Sequence, residues 1–198
     1  KYLLETSRYH VLLDCGLFQG LKQLRLRNWS PLPVQPGTIN AVVLTHAHLD
    51  HSGYLPALIK GGYPGRVQCS PATRDLCNIL LLDSGYLQDK DADYANRHGF
   101  SKHKPALPLY TLRDAEQALE HFAPADFEMD HELGDGARFR LRRAGHILGA
   151  AIVELFWHGT KIVFSGDLGR YDDPMRLDPA LIRAADYSVV ESTYGDRR

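Results

Sequence analysis

The segment Thr45-His46-Ala47-His48-Leu49-Asp50-His51 constrains this chain more than any other. It follows Ile39 to Leu44, a nearly continuous apolar run of the kind that forms a strand buried on both faces. Four potential metal ligands therefore stand within six residues, at the end of a strand that needs cover on both sides. Imidazole and carboxylate suit Zn²⁺ and similar ions. His46 and His48, two residues apart in an extended turn, point the same way and can grip one ion. Asp50 and His51 fall where the chain bends into a helix (Ser52 to Lys60, ended by Gly61 and Gly62) and can face a neighbouring ion. Two ions about 3.5–4 Å apart are the usual arrangement for hydrolysing phosphate esters.

A binuclear site needs further ligands, and two candidates stand beside apolar strands downstream. His146 lies in Ala144-Gly145-His146-Ile147-Leu148-Gly149-Ala150, and Asp167 in Phe164-Ser165-Gly166-Asp167-Leu168-Gly169. A carboxylate has two oxygens and can bridge two ions. Asp14, after the strand Tyr9 to Leu13, is assigned to the shell behind the ligands, where a carboxylate fixes the ring of a ligand His. Of the remaining histidines, His10, His121, His131 and His158 read as turn, cap or surface residues, and His98 and His103, in the basic loop, as solvated surface or a substrate-phosphate contact. Arg138, Arg140 and Arg142 alternate, as on the solvated face of an edge strand or in a phosphate-binding stripe.

The other elements expected are a strand at Arg66 to Cys69 and a long helix from Pro71 to about Asn96, breaking at Gly85. A basic loop over 97–110 and a helix capped by Thr111 and ending near Phe122 follow. Strands are expected at Phe127 to Met129, Ala137 to Ala144, Ala151 to Trp157 and Lys161 to Phe164. A short helix at Leu181 to Ala185 and a strand at Tyr187 to Val190 complete the order. This order suits α/β layers with a substantial antiparallel part. The 198 residues carry a net charge of -1, so the overall charge neither calls for nor excludes nucleic acid. No apolar run approaches the roughly 18 residues of a membrane span. Three cysteines with no paired spacing argue against a disulfide scaffold and for a reducing compartment.

Taken in order, Asp14, the His46-to-His51 motif, His146 and Asp167 resemble the metallo-β-lactamase superfamily. The resemblance implies an αββα sandwich with two Zn²⁺ at one edge. His46, His48 and His146 would hold the first ion, Asp50 and His51 the second, and Asp167 both. Glu191-Ser192-Thr193-Tyr194-Gly195 looks like the first signature motif of the β-CASP group, nucleases similar to the pre-mRNA 3′-end cleavage endonuclease and its bacterial and archaeal relatives. Tyr94 to Arg97, Lys102 to Pro105 and Leu109 to Thr111 look like the bacterial members. The resemblance implies a cytoplasmic enzyme that cleaves single-stranded RNA. On that resemblance a hydroxide held by the zincs would attack phosphorus, Asp50 would orient it, and Glu191 would support a general-acid His that this segment lacks.

On this reading residues 1–198 are the N-terminal portion of the metallo-β-lactamase domain. The chain opens on Lys1, so the family's first strand is expected before it, and the β-CASP domain and the C-terminal His motifs after Arg198. A sheet edge opened in this way would invite pairing with a second copy, giving a homodimer. The second ion site is expected to be the weaker one. Two other readings use the same residues: a small-molecule thioesterase or lactonase, and a non-catalytic RNA-binding subunit or inactive fragment.

Overall fold

The computed structural model describes residues 1–193 and Gly195; Tyr194 of the Glu191–Gly195 motif lies outside the described residues. Two five-stranded sheets pack face to face. The first has the order β1 (Tyr2–Glu5), β2 (His10–Leu13), β3 (Ala41–Val43), β4 (Val67–Cys69), β5 (Phe122–Pro124). Its strands β2 to β5 are parallel, and β1 pairs antiparallel with β2. The second runs β10 (Tyr187–Val189), β9 (Thr160–Phe164), β8 (Ala151–Trp157), β7 (Ala137–Arg143), β6 (Asp130–Gly134). It is antiparallel except for the parallel pair β9–β10.

The alternation of side chains along each strand explains why β2 and β3 are apolar throughout. Val11, Leu13 and Val43 point between the sheets and pack on Phe139, Leu141, Val153, Leu155 and Phe164. Leu12, Val42 and Leu44 point outward to Leu55, Leu58, Cys77, Leu81 and Tyr110. That outer layer is built by α3 (Leu55–Lys60), α4 (Pro71–His98) and α5 (Leu112–Leu119). Ser70 caps α4, accepting a hydrogen bond from the Thr73 amide, and Pro71 follows at the first turn. Thr111 and Asp114 close a capping box on α5. The outer face of the second sheet is covered differently: Leu168 and Ile182, from a segment without helix, pack on Ile152 and Val163.

Several expectations are corrected. The helix expected over Ser52 to Lys60 is two, α2 (Leu49–Ser52) and α3, separated by Gly53 and Tyr54. α4 does not break at Gly85 and runs two residues past Asn96. A Cβ at Gly85 would stand 2.9 Å from Leu112 Cα and Thr111 O, so this glycine lets the α5 entry lie against α4. Leu181 to Ala185 has no regular structure rather than being helical, and Ala180 donates to Arg143 O at 2.8 Å. Phe127 makes only a single bridge to Leu141, and Glu128 takes a positive φ of 64°, which ends any strand there. β1, β5 and β6 were not expected. β7 lies between β6 and β8 rather than at an edge. Its arginines are paired: Arg138 and Arg140 with Asp130, and Arg142 with Glu128 and Glu154. No described helix is long and apolar enough to cross a membrane.

Candidate metal centre

Asp14, His46, Asp167 and Glu191 each stand just beyond the C-terminal end of a strand: β2, β3, β9 and β10 respectively. His146 lies in the loop joining β7 to β8. The edge where the two sheets meet thus collects side chains distant in sequence. Ala151 at the start of β8 donates to Thr45 O at 2.9 Å, and Gly169 donates to Ala144 O at 2.9 Å. These bonds tie the His146 and Asp167 loops to the end of β3.

Two donor sets result, sharing Asp167. His46, His48, His146 and Asp167 converge, each offering one ligand atom, all within 4.8 Å of one another. His48 Nδ1 lies 3.1 Å from His46 Nε2 and 3.2 Å from His146 Nε2. Asp167 Oδ2 lies 3.8 Å from His46 Nε2 and 3.6 Å from His146 Nε2. A tetrahedral Zn²⁺ with Zn–N near 2.0–2.1 Å separates its nitrogens by about 3.3 Å, so this cluster has the right size and donors for such an ion. Asp50, His51 and Asp167 form the other set. His51 Nε2 lies 3.2 Å from Asp167 Oδ1 and 3.7 Å from Asp50 Oδ2. Asp167 thus turns one oxygen to each set.

Asp14 faces the outer side of this cluster. Its Oδ2 is 2.8 Å from His51 Nδ1, leaving His51 Nε2 for the donor set. The Thr45 amide donates to Asp14 Oδ1 at 2.7 Å, and Thr45 Oγ1 also contacts the carboxylate. A Cβ at Gly16 would fall 1.4 Å from Asp50 O, so only glycine lets the loop after Asp14 cross beneath Asp50 and His51. Backbone bonds from Cys15 to His51 O (2.6 Å) and from Leu17 to Leu49 O (2.8 Å) fix that crossing.

The protonation states follow from this packing. Burial, with the charge of His51 beside it, holds His46 down to about 3. Burial also lowers His146. For His51, burial opposes the charge, but hydrogen bonds to Asp14 and Asp167 outweigh it and raise the imidazole to about 10. The same bond from His51, working against desolvation, draws Asp167 down to about 2. In the metal-free chain His51 is thus a cation flanked by two carboxylates, and His46 is neutral.

All six expected ligands therefore meet at one edge, with Asp14 behind His51. Glu191 lies beside them: its Oε1 accepts from the Leu168 amide at 2.6 Å, next to Asp167, and its own amide donates to Ser165 Oγ at 3.0 Å. Thr45 and Ser52 were missed by sequence reasoning. Both are buried, and Ser52 Oγ donates to the Ala47 and His48 carbonyls at 2.8 and 3.1 Å, which shapes the His48 turn. The signal available was a buried hydroxyl on each side of a histidine-rich turn. His10, His98, His121 and His131 each pair a ring nitrogen with a backbone carbonyl away from this edge. All three cysteines are buried and free, and burial pushes the Cys15 thiol up to about 12.

Comparison with known proteins agrees with the fold. The family model described as "Metallo-beta-lactamase superfamily" matches residues 2–194, and the chain belongs to that superfamily. Ribonuclease TTHA0252 of Thermus thermophilus is 37% identical over 196 residues, which cover 99% of this chain and 41% of the relative. Transcription termination factor FttA of Methanosarcina mazei is 36% identical over 205 residues, covering 98% of this chain and 29% of that protein. The chain thus spans less than half the length of these curated relatives. Among solved structures, the metallo-β-lactamase of Cronobacter sakazakii with the HARLDQ motif superposes with a TM-score of 0.51 at 22% identity. It covers 87% of this chain and 59% of that one, a likeness of fold.

Proposed function

We propose that this chain carries the metal-binding part of a hydrolase that cleaves phosphodiester bonds of single-stranded RNA with two Zn²⁺, acting in the cytoplasm as a β-CASP-type nuclease. The observation that carries the reading is Asp167, whose two oxygens face two separate donor sets. The named ribonuclease and termination factor among the relatives favour RNA over a small-molecule substrate.

His46, His48 and His146 would hold the first ion, Asp50 and His51 the second, with Asp167 shared. Bound there, the ions lower the pKa of a water toward about 7 and offset charge on the phosphate oxygens. The residues supply the rest. The Asp50 side chain is 54% exposed, placing a carboxylate at the mouth of the site where it can take a proton from the attacking water. Asp14 fixes the His51 ring so that Nε2 faces inward. Glu191 holds the Leu168 amide and with it the backbone next to Asp167.

The test is substrate choice by the zinc-loaded hydrolase whose metal-binding part this chain is proposed to carry. The expected result is cleavage of single-stranded RNA with no turnover of a thioester, lactone or β-lactam. Turnover of one of these with RNA left intact would refute the assignment, and RNA binding without any hydrolysis would identify a non-catalytic subunit.

A further inference from the structure

α4 carries a second surface at its C-terminal end. Its cap, Ser70, donates to Gly149 O at 2.7 Å in the His146 loop, and the helix runs 28 residues to His98. At about 1.5 Å per residue, its other end stands about 40 Å from that loop. There, Tyr94 is 51% and Phe100 71% exposed. The rings form a compact cluster: Tyr94–His98 centroids are 4.1 Å apart, and Phe100 lies 5.8 Å from both, with its plane within 17° of His98. Two turns back along the helix, Lys90 sits 5.2 Å over the exposed Tyr86 ring.

Arg97, Lys102 and Lys104 are all exposed, and no Asp or Glu occurs from Tyr94 to Tyr110, although Asp91 and Asp93 are exposed on the helical turn just before Tyr94. The ion pair that α4 makes among the described residues is Arg74–Asp75, near its opposite end. The loop beyond the helix is tied down: Asn96 Nδ2 donates to Ala106 O at 3.0 Å and Asn96 Oδ1 accepts from the Ala106 amide at 2.7 Å. The aromatic and cationic groups are thus held in place rather than carried on an untethered tail.

We infer that this end of α4 is a second contact surface for single-stranded RNA, taking bases on the rings of Tyr94, His98 and Phe100 and phosphates on Arg97, Lys102 and Lys104. The inference rests on the RNA reading of the metal centre. Stacking on exposed aromatics tolerates any base, and unpaired cations bind phosphate by releasing counterions. An RNA long enough to reach from this end of α4 to the His146 loop, about 40 Å away, can touch both the surface and the metal edge.

The test is binding of a fluorescent oligouridylate of that span to the full chain, in chelator so that the RNA stays whole, across a series of salt concentrations. Tyr94→Ala with Phe100→Ala is expected to weaken binding about tenfold or more, with the salt slope kept. Arg97→Gln with Lys102→Gln and Lys104→Gln is expected to reduce the slope of log Kd against log salt by about 2, at about 0.7 for each phosphate no longer neutralised. Unchanged melting curves would show that both variants fold. Wild-type affinity and slope in both variants would overturn the inference while leaving RNA hydrolysis at the metal edge untouched. A change of oligomeric state without a change in RNA affinity would overturn it in favour of a protein contact. RNA bound through this surface but left intact by the zinc-loaded hydrolase that carries this chain would overturn the metal-centre reading instead.

Discussion

The two halves of the metal centre are built differently. The imidazole half is set into the body of the sandwich: His46 is fully buried, and its partners come from the turn after β3 and from the β7–β8 loop on the facing sheet. The carboxylate half stands at the rim, with Asp50 exposed and His51 held by its pairing with Asp14 and Asp167. The first half has three imidazole nitrogens converging at ion-sized distances. The second has one imidazole, which must give up a proton before it can ligate. The difference teaches that burial pre-organises one site by excluding charge, while the other is organised by charge and stays responsive to it.

The largest expected effect comes from breaking the buried half at a position that does not hollow the core. His48→Ala should lower kcat/KM for RNA by about 10³-fold or more, because an ion whose charge stabilisation is worth several kcal/mol is lost. Activity within tenfold of wild type would show that the imidazole half is not needed for the reaction. Next comes Asp14→Asn, which removes the carboxylate behind His51. It should weaken the second ion by about 10–100-fold and leave the first nearly unchanged, as read by metal titration. An equal loss at both ions would show that the halves are not separable.

How much of this contrast was legible in the sequence depends on where side chains point. β3 and its histidine-rich turn could be read because a continuous apolar run is unambiguous, and every ligand sat beside such a run. β1 and β6 were missed for the opposite reason: Tyr2 to Glu5 is short and half-exposed, and Asp130 to Gly134 is polar, so neither shows the period of a core strand. Leu181 to Ala185 has helix-forming residues but runs without regular structure over the second sheet, where tertiary packing by Ile182 overrides propensity. The service of Gly16 beneath Asp50 was invisible because a close approach between distant backbones leaves no periodic trace.

A smaller effect concerns protons. His51, raised to about 10, is charged at pH 7 and must lose its proton to ligate, whereas His46, lowered to about 3, is already neutral. Calorimetry in buffers of different ionisation heat should find about one proton released on filling the second half and none from His46 on filling the first. Affinity at the second half should accordingly rise about tenfold per pH unit and level off as pH passes about 10. A second site as flat with pH as the first would break this part of the comparison. The smallest effect is Glu191→Gln, which keeps an oxygen for the Leu168 amide but loses charge. It should reduce RNA cleavage less than tenfold, while Glu191→Ala, which strands that amide, reduces it further.

The most direct measurement is a zinc titration of the full chain at pH 7 with both stoichiometry and affinity resolved. The account predicts two ions binding in separate steps, the first the tighter and abolished by His48→Ala, the second weakened selectively by Asp14→Asn. Two ions bound with equal affinity, or a first step that survives His48→Ala, would contradict it.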